Sequence, residues 1–375
     1  MNIEIVTVSD KKQKKQFIDF PHELYKDDPL YVPELYLAQK EMMDAKKYPL
    51  FEFSTVEYYL AKRDGKIVGR VAAIHNKNYN EYHKANAGFF GFYDIIDDYQ
   101  VTEALLDAAT DHLKEKGLTE IIGPCNYSTN ETAGLLVDGF DRSPLVMMTY
   151  NKPYYADHLE KYGFKKSMDL YAYMIWTKSV SDKSLRIAKV LEERLKRSGI
   201  TIRNVNLKKL KEEVENIKPI YNGAWQDNWG FVPFTNKEII HLADSLKLIA
   251  DDRWLYLAEH NGKIIGFNIT LPDINQITKG FKKGRLFPFN VIKLLMNKKK
   301  TKYVRIIALG VLEEYRKKGI EAIFFAKNIQ TAKETGVEGG EASWVLESNE
   351  MMVKAAENLN GERYKTYRLY NKFIS

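Results

Sequence analysis

Apolar positions follow two rhythms along this chain. Leu60 to Gly69 and Leu257 to Gly266 each read as an apolar run, a two-residue Asp64-Gly65 or Asn261-Gly262 turn, and a second apolar run, which predicts a β-hairpin. Gly88 to Ile96 and Val304 to Leu312 are mostly apolar and predict buried strands. After each of them the period lengthens to that of a helix. Val101, Ala104, Leu105, Ala108 and Leu113 share one helical face; Ile320, Ile323, Phe324, Ala326, Ile329 and Ala332 share another. Gly117 and Gly336 stand where a left-handed residue ends a helix. A further strand, helix and strand follow in each half. Antiparallel strands followed by strands joined through helices predict an α/β fold, a mixed sheet with helices on its faces.

These landmarks repeat in order. The two hairpins stand 197 positions apart, and Tyr31-Val32-Pro33 and Phe231-Val232-Pro233 stand 200 apart. Gly91 and Gly310 are separated by 219, as are Gly117 and Gly336; Asn151 and Asn349 are separated by 198, as are Gly163 and Gly361. The step up to 219 is an insertion in the second half, around Lys279 to Lys302. The step back to 198 is an insertion of similar size in the first half, between Cys125 and Asn151. Ordered landmarks with compensating insertions predict an ancient duplication. The expected units are a domain over 1–180, a linker helix over 181–199 and a second domain over 200–375.

The length of 375 residues agrees, because it exceeds what one core supports. Apolar residues make up 45% and charged residues 29%, as in a globular protein. No run of about 18 apolar residues predicts a membrane span, and Met1 to Asp10 lacks the apolar run of a signal peptide. A cytoplasmic protein is expected. Cys125 is the single cysteine, which excludes an intrachain disulfide and a cysteine metal site. No nearby His pairs with it, so a buried small residue is expected there. Neither Gly-x-x-x-x-Gly-Lys nor His-Glu-x-x-His occurs, and no metal is expected. The net charge of +7 permits an anionic ligand, a membrane surface or a nucleic acid and selects none.

The informative chemistry lies at Arg316-Lys317-Lys318-Gly319, where a strand has ended and a helix begins. A helix start offers free backbone N–H groups and partial positive charge, which suit a diphosphate. Cationic side chains add to this, and Gly319 allows close approach. At an offset of 219 the first half carries Asp97, Asp98, Tyr99 and Gln100, which repel a diphosphate and cap the helix instead. The segment also reads as a charged, solvated helix start.

This segment resembles motif A of the GNAT acyltransferase superfamily, which grips the pyrophosphate of coenzyme A. Glu321 departs from the motif, standing where the family has a second small residue. The resemblance implies two tandem GNAT-like domains, the second binding acetyl-coenzyme A or a longer acyl-coenzyme A and the first degenerate. It implies a cofactor-binding set of Val311, Leu312, Arg316, Lys317, Lys318, Gly319, Ile320 and Asn349, with a backbone N–H near Val311 or Leu312 stabilising an oxyanion. GNAT enzymes often carry a Tyr seven residues beyond such an Asn; here Ala356 and His158 stand there. Tyr364, Tyr367 and Tyr370 read first as packing on a strand, with Tyr370 the candidate substitute. The candidate bases are Glu347 at a predicted strand end, Asp273, and Glu313.

Gly123 to Asp141, Tyr221 to Pro233 and Leu271 to Gln276 are similar to a family of bacterial tandem-GNAT proteins, a likeness spanning nearly the whole chain. It implies an N-acyltransferase acting on a small-molecule or lipid amine, long-chain sphingoid-like amines included. Asn126, Asn130 and Glu131 follow a strand end and suit a polar acceptor; Trp225, Asn228 and Trp229 lie where GNAT domains build the acceptor wall. The same residues also read as a packed interdomain loop. The basic amphipathic segment over 281–303 reads as a contact with an anionic membrane, a lid over an acyl chain, or a helix packed on the second domain. Two other readings stay open: an aminoacyl-tRNA-dependent transferase of the peptidoglycan type, though nucleic acid is the less expected partner, and a non-catalytic GNAT-like binding protein.

Overall fold

The computed structural model describes residues 3–374. Met1, Asn2 and Ser375, at the outer ends of the two expected domains, lie outside the described residues. The first half runs β1 (Glu4–Thr7), α1 (Lys11–Leu24), α2 (Tyr36–Met42), β2 (Ser54–Arg63), β3 (Lys66–Asn76), α3 (Lys77–His83), β4 (Ala87–Ile95), α4 (Tyr99–Glu115), β5 (Glu120–Gly123), β6 (Leu135–Asp138), α5 (Tyr154–Lys161) and β7 (Lys165–Trp176). After α6 (Asp182–Arg197), the second half runs β8 (Ile200–Asn204), α7 (Leu210–Trp225), α8 (Asn236–Leu246), β9 (Leu255–His260), β10 (Lys263–Pro272), α9 (Asn275–Thr278), α10 (Asn290–Asn297), β11 (Tyr303–Val311), α11 (Ile320–Thr335), β12 (Gly339–Leu346), α12 (Glu350–Asn358) and β13 (Glu362–Phe373). The hairpins, the buried strands and the helices after them fall where the two rhythms predict. Gly117 and Gly336 take φ of 76° and 73°, as a left-handed helix end requires.

The strands form one sheet in the order β1-β2-β3-β4-β5-β13-β7-β12-β11-β10-β9-β8, with β6 paired to β13. In each half the early strands are antiparallel and the next pair is parallel, β4 with β5 and β11 with β12. The last strands are exchanged. β7, from the first half, pairs with β12 of the second, while β13 lies between β5 and β7 of the first. One core therefore holds Phe89 of β4, Leu170 and Met174 of β7, and Tyr367 and Leu369 of β13. Each such fully buried side chain contributes roughly 2 kcal/mol.

α6 is laid against α11: Leu191 and Leu195 join Ile320 and Phe324 in an apolar cluster, and Lys327 pairs with Glu192 at 2.8 Å. The basic insertion is anchored by Phe281, Leu286 and Leu294, all buried in the core of the second half. The insertion of the first half supplies β6 and a loop that reaches the second half, where Val146 joins the same core.

Candidate active site

β11 and β12 pair from Tyr303 opposite Gly339 to Ile306 opposite Ala342, and then part. β11 continues to Val311 along β10, whereas Val345 and Leu346 of β12 pair with β7. A register shift between Ile269 and Thr270 of β10 leaves Ile307 without an opposite residue, a bulge that bends β11 at this point. The parted strands open a cavity of about 560 Å³ lined by Ala308 to Val311, Ser343 to Leu346, Trp225 and Asn349.

The opened edge of β11 carries usable backbone groups. The Leu309 carbonyl accepts from Trp225 Nε1 at 3.2 Å and the Val311 carbonyl from Arg316 Nε at 3.4 Å. A residue in an antiparallel ladder presents its N–H and C=O to the same edge. The Val311 N–H therefore faces the opening. The expectation for Leu312 is corrected: its N–H donates to the Ile265 carbonyl at 2.9 Å and belongs to the β10 side.

The first half supplies a control. Phe92, the counterpart of Val311, gives its N–H to Asn126 Oδ1 at 2.7 Å. The Phe90 carbonyl, counterpart of Leu309, accepts from the Cys125 N–H at 2.8 Å. A Cβ on Gly91 would stand 2.0 Å from the Cys125 carbonyl, so the chain after β5 fills the gap that stays open in the second half. Asn126 thus fills the backbone gap of the first half, and it also lines a cavity on that side.

The helix starts differ in the same sense. Gly319, with φ of 90°, precedes α11, and no side chain caps that helix. Arg316 and Glu321 line the cavity, so the turn between them forms its rim. Lys317 and Lys318 are exposed, and Ile320 is buried against α6. The Arg316 guanidinium turns inward to the Ala224 carbonyl at 3.0 Å, pinning α7 to β11. In the first half, Asp98 caps α4 by accepting from the Gln100 N–H at 2.9 Å and pairs with Arg63 at 2.6 Å.

A second cavity of about 350 Å³ lies against the first half, with Tyr25, Tyr31, Phe92 and Asn151 on its wall. These are the counterparts of Trp225, Phe231, Val311 and Asn349 around the first cavity. The two share Asn130, Glu131, Thr132, Met147, Phe234 and Leu242. The loop after β5 carries the first three into the junction. It is tied to the second half by Asn130 Nδ2 donating to the Val232 carbonyl at 2.8 Å, Tyr221 Oη donating to Asn130 Oδ1 at 3.1 Å, and the Thr129 hydroxyl donating to the Gly230 carbonyl. Burial raises the Glu131 carboxyl to about 7; a hydrogen bond from Tyr48 opposes the rise and Glu238 adds to it. Leu35, Met42, Leu246 and Ile249 give the second cavity apolar wall. Gln39 Oε1 and Thr149 Oγ1 on the same wall are buried and have no hydrogen-bond partner among the described residues.

Three expectations for catalytic groups are corrected. Glu347 accepts from Lys166 at 2.7 Å and from the Asp169 N–H at 3.0 Å, outside both cavities. The strand exchange brings β7 beside it and occupies its oxygens. Tyr370 is carried by β13 into the core of the first half, where Oη donates to Glu160 at 3.1 Å. Asp273 is buried and accepts from the Val146 N–H at 2.9 Å and Gln276 Nε2 at 3.0 Å, tying the two halves together. Burial raises its carboxyl to about 7. Asn349 lines the first cavity and caps α12 by accepting from the Met352 N–H at 3.2 Å. Trp225, Asn228 and Trp229 all line that cavity. Burial pushes the Cys125 thiol up. No cluster of metal-ligating side chains occurs among the described residues.

The chain is 36% identical over 374 residues to Protein YghO of Escherichia coli, covering 98% of this chain and 95% of that protein. It is 34% identical over 383 residues to the bacterial ceramide synthase of Caulobacter vibrioides, covering 100% of this chain and 98% of that one. A tandem GNAT protein from the clavulanic acid biosynthesis pathway, solved without AcCoA, superposes with a TM-score of 0.60 at 12% identity, covering 100% of this chain and 99% of that one. A probable N-acyltransferase from Enterococcus faecalis gives a TM-score of 0.52 at 10% identity, covering 100% of this chain and 73% of that one. No family model matches.

Proposed function

The chain belongs to the tandem GNAT N-acyltransferase family that holds Protein YghO and the bacterial ceramide synthase, and from that membership we propose that it transfers an acyl group from acyl-coenzyme A to the primary amine of a long-chain, sphingoid-like lipid. The observation that carries the reading is the junction of two cavities at Glu131, one opening between parted strands and one walled by apolar side chains. Two such chambers meeting at one carboxyl suit a thioester donor and an amine acceptor.

In this reading the thioester lies along the opened edge of β11, and the diphosphate of coenzyme A sits at the uncapped start of α11. The second cavity takes the hydrocarbon of the amine, and Gln39 and Thr149 meet its polar head. Glu131 removes a proton from the ammonium, which its raised pKa suits at neutral pH. The freed nitrogen attacks the thioester carbon, and the Val311 N–H stabilises the oxygen as it becomes an oxyanion. The C–S bond then breaks, giving the amide and the thiolate of coenzyme A. Tyr221 lines the first cavity, and burial keeps its phenol protonated. It is the group that supplies the thiolate's proton, in place of the Tyr missing at Ala356, and its phenolate takes up the second proton that the nitrogen loses as the amide forms.

Calorimetry with acetyl- and palmitoyl-coenzyme A, joined to thiol release in the presence of sphinganine, tests the reading. Saturable binding and amine-dependent thiol release are expected. A Cβ on Gly319 would stand 2.3 Å from Leu191 Cδ2, so Gly319→Ala reads that collision alone; Gly319→Asp adds a carboxylate at the helix start and is expected to abolish the binding that Gly319→Ala retains. Unchanged affinity in Gly319→Asp would reject the site.

A further inference from the structure

We propose that the segment around α10 is a membrane-docking face, which seats the protein on an anionic bilayer beside the acceptor cavity. Of the twelve large apolar side chains exposed among the described residues, five fall within 287–296: Phe287 (65%), Phe289 (77%), Ile292 (54%), Leu295 (48%) and Met296 (67%). α10 is apolar on both faces. Leu294, with Val291 beside it, packs into the core of the second half. Ile292, Leu295 and Met296 stand three and four positions apart, which puts them on one opposite face, turned to solvent. A surface helix with one packed face has no use for a second apolar face in water. An outward ridge of this size, rimmed by polar groups, marks an interaction surface.

The charge around the ridge selects the occupant. Nine basic residues and no acidic one lie between Lys279 and Lys302. Lys283 is held by Glu23 at 2.8 Å, and Lys302 by Glu338 at 3.3 Å. Lys282, Arg285, Lys293, Lys299 and Lys300 form no ion pair among the described residues. Bulky apolar side chains ringed by cations with no carboxylate partner match the boundary between acyl chains and anionic headgroups. A protein partner of ordinary composition requires neither the five bare apolar tips nor uniform positive charge.

The ridge is also rigidly mounted. A Cβ on Gly284 would stand 1.8 Å from the Glu34 carbonyl, so the segment lies flush against the entry to α2. Arg285 sits over the Tyr36 ring at 4.7 Å. α2 supplies Ala38, Gln39 and Met42 to the second cavity, and Thr278, just before the segment, lines it too. Docking through the ridge therefore sets that cavity beside the bilayer surface. That a lipid amine enters there rests on the acyl-transfer reading; the docking itself does not.

Co-sedimentation of the full chain with vesicles tests the proposal, using phosphatidylcholine alone and phosphatidylcholine mixed with phosphatidylglycerol. The protein is expected to pellet with the anionic vesicles, and less so as salt rises. Phe287→Ser with Phe289→Ser and Met296→Ser is expected to weaken partitioning about tenfold or more. Lys299→Glu with Lys300→Glu is expected to remove the preference for anionic lipid. All these side chains are exposed, so melting temperature and acyl-coenzyme A affinity measured without vesicles stay unchanged. No pelleting of the wild-type chain, or pelleting indifferent to the triple variant, overturns the proposal. A dimer seen by light scattering that the triple variant dissociates, without vesicle binding, assigns the ridge to a second copy and also overturns it. Vesicle binding without any coenzyme A binding upholds docking and rejects the acyl-transfer reading.

Discussion

At the scale of single residues, Glu131 makes two opposed demands. A carboxyl raised to about 7 holds its proton in the folded chain at pH values where the unfolded chain has lost it. Stability therefore falls as pH rises from the ordinary carboxylate range through about 7, by on the order of 2 kcal/mol for this group. The base role proposed for it requires the ionised form, so turnover is expected to fall as pH drops through about 7. Glu131→Gln is expected to raise the melting temperature at pH 8 while lowering kcat about a hundredfold or more and erasing the acid limb of the pH–rate profile. A variant with both kcat and the acid limb intact would remove Glu131 from the chemistry. Tyr221→Phe is expected to lower kcat with little change in KM, read from steady-state kinetics. The place of Asn130 and Glu131 in a polar loop after a strand end is legible in sequence. That Glu131 stands at a junction is not, since Tyr48 and Glu238 meet it, and Gly230 and Val232 meet its neighbours Thr129 and Asn130, from distant stretches. Glu347 and Tyr370 show the reverse. A strand end and a Tyr-rich strand are legible locally, but what lies beside those strands is decided elsewhere in the chain.

At the scale of elements, the parting of β11 and β12 rests on a buried polar cluster at its root. Arg305 on β11 stands 3.5 Å from Glu341 on β12, donates to Ser343 Oγ at 2.8 Å, and donates to the Val146 carbonyl at 3.0 Å. Both charged side chains are almost fully buried. Tyr364 of β13 donates to the other Glu341 oxygen. Breaking one side of such a pair leaves an uncompensated charge and costs about 3–5 kcal/mol. Arg305→Met is expected to lose that much in chemical denaturation, and Glu341→Gln added to it is expected to restore a substantial part. Equal stability of the single and double variants would contradict the coupling. The contrast between the helix starts was legible in sequence, because the charge of four residues and one left-handed glycine decide it locally. The roles within the cationic start were not. Arg316 is spent on the Ala224 carbonyl, since α7 packs against the end of β11.

At the scale of the molecule, the exchange of β7 and β13 makes each half depend on the other. Without β13, β5 and β7 lose the partner between them and two strand edges are bared. A chain ending at Gly361 is expected to be insoluble or to lack cooperative melting, and a fragment over 1–180 is expected to behave likewise. Co-expression with 181–375 is expected to restore a soluble complex, detected by size exclusion. A 1–180 fragment that melts cooperatively alone would contradict this interdependence. The order of elements, the turns and the asymmetry of the two helix starts were determined by sequence alone, because each depends on residues within a turn or two of one another, and the duplication was too, because those local patterns recur in the same order. Strand exchange, the plugged first site, the meeting of the cavities at Glu131 and the outward face of α10 were decided by tertiary structure. Hydrophobic period says which face of an element is apolar, but the neighbour that covers that face comes from far along the chain.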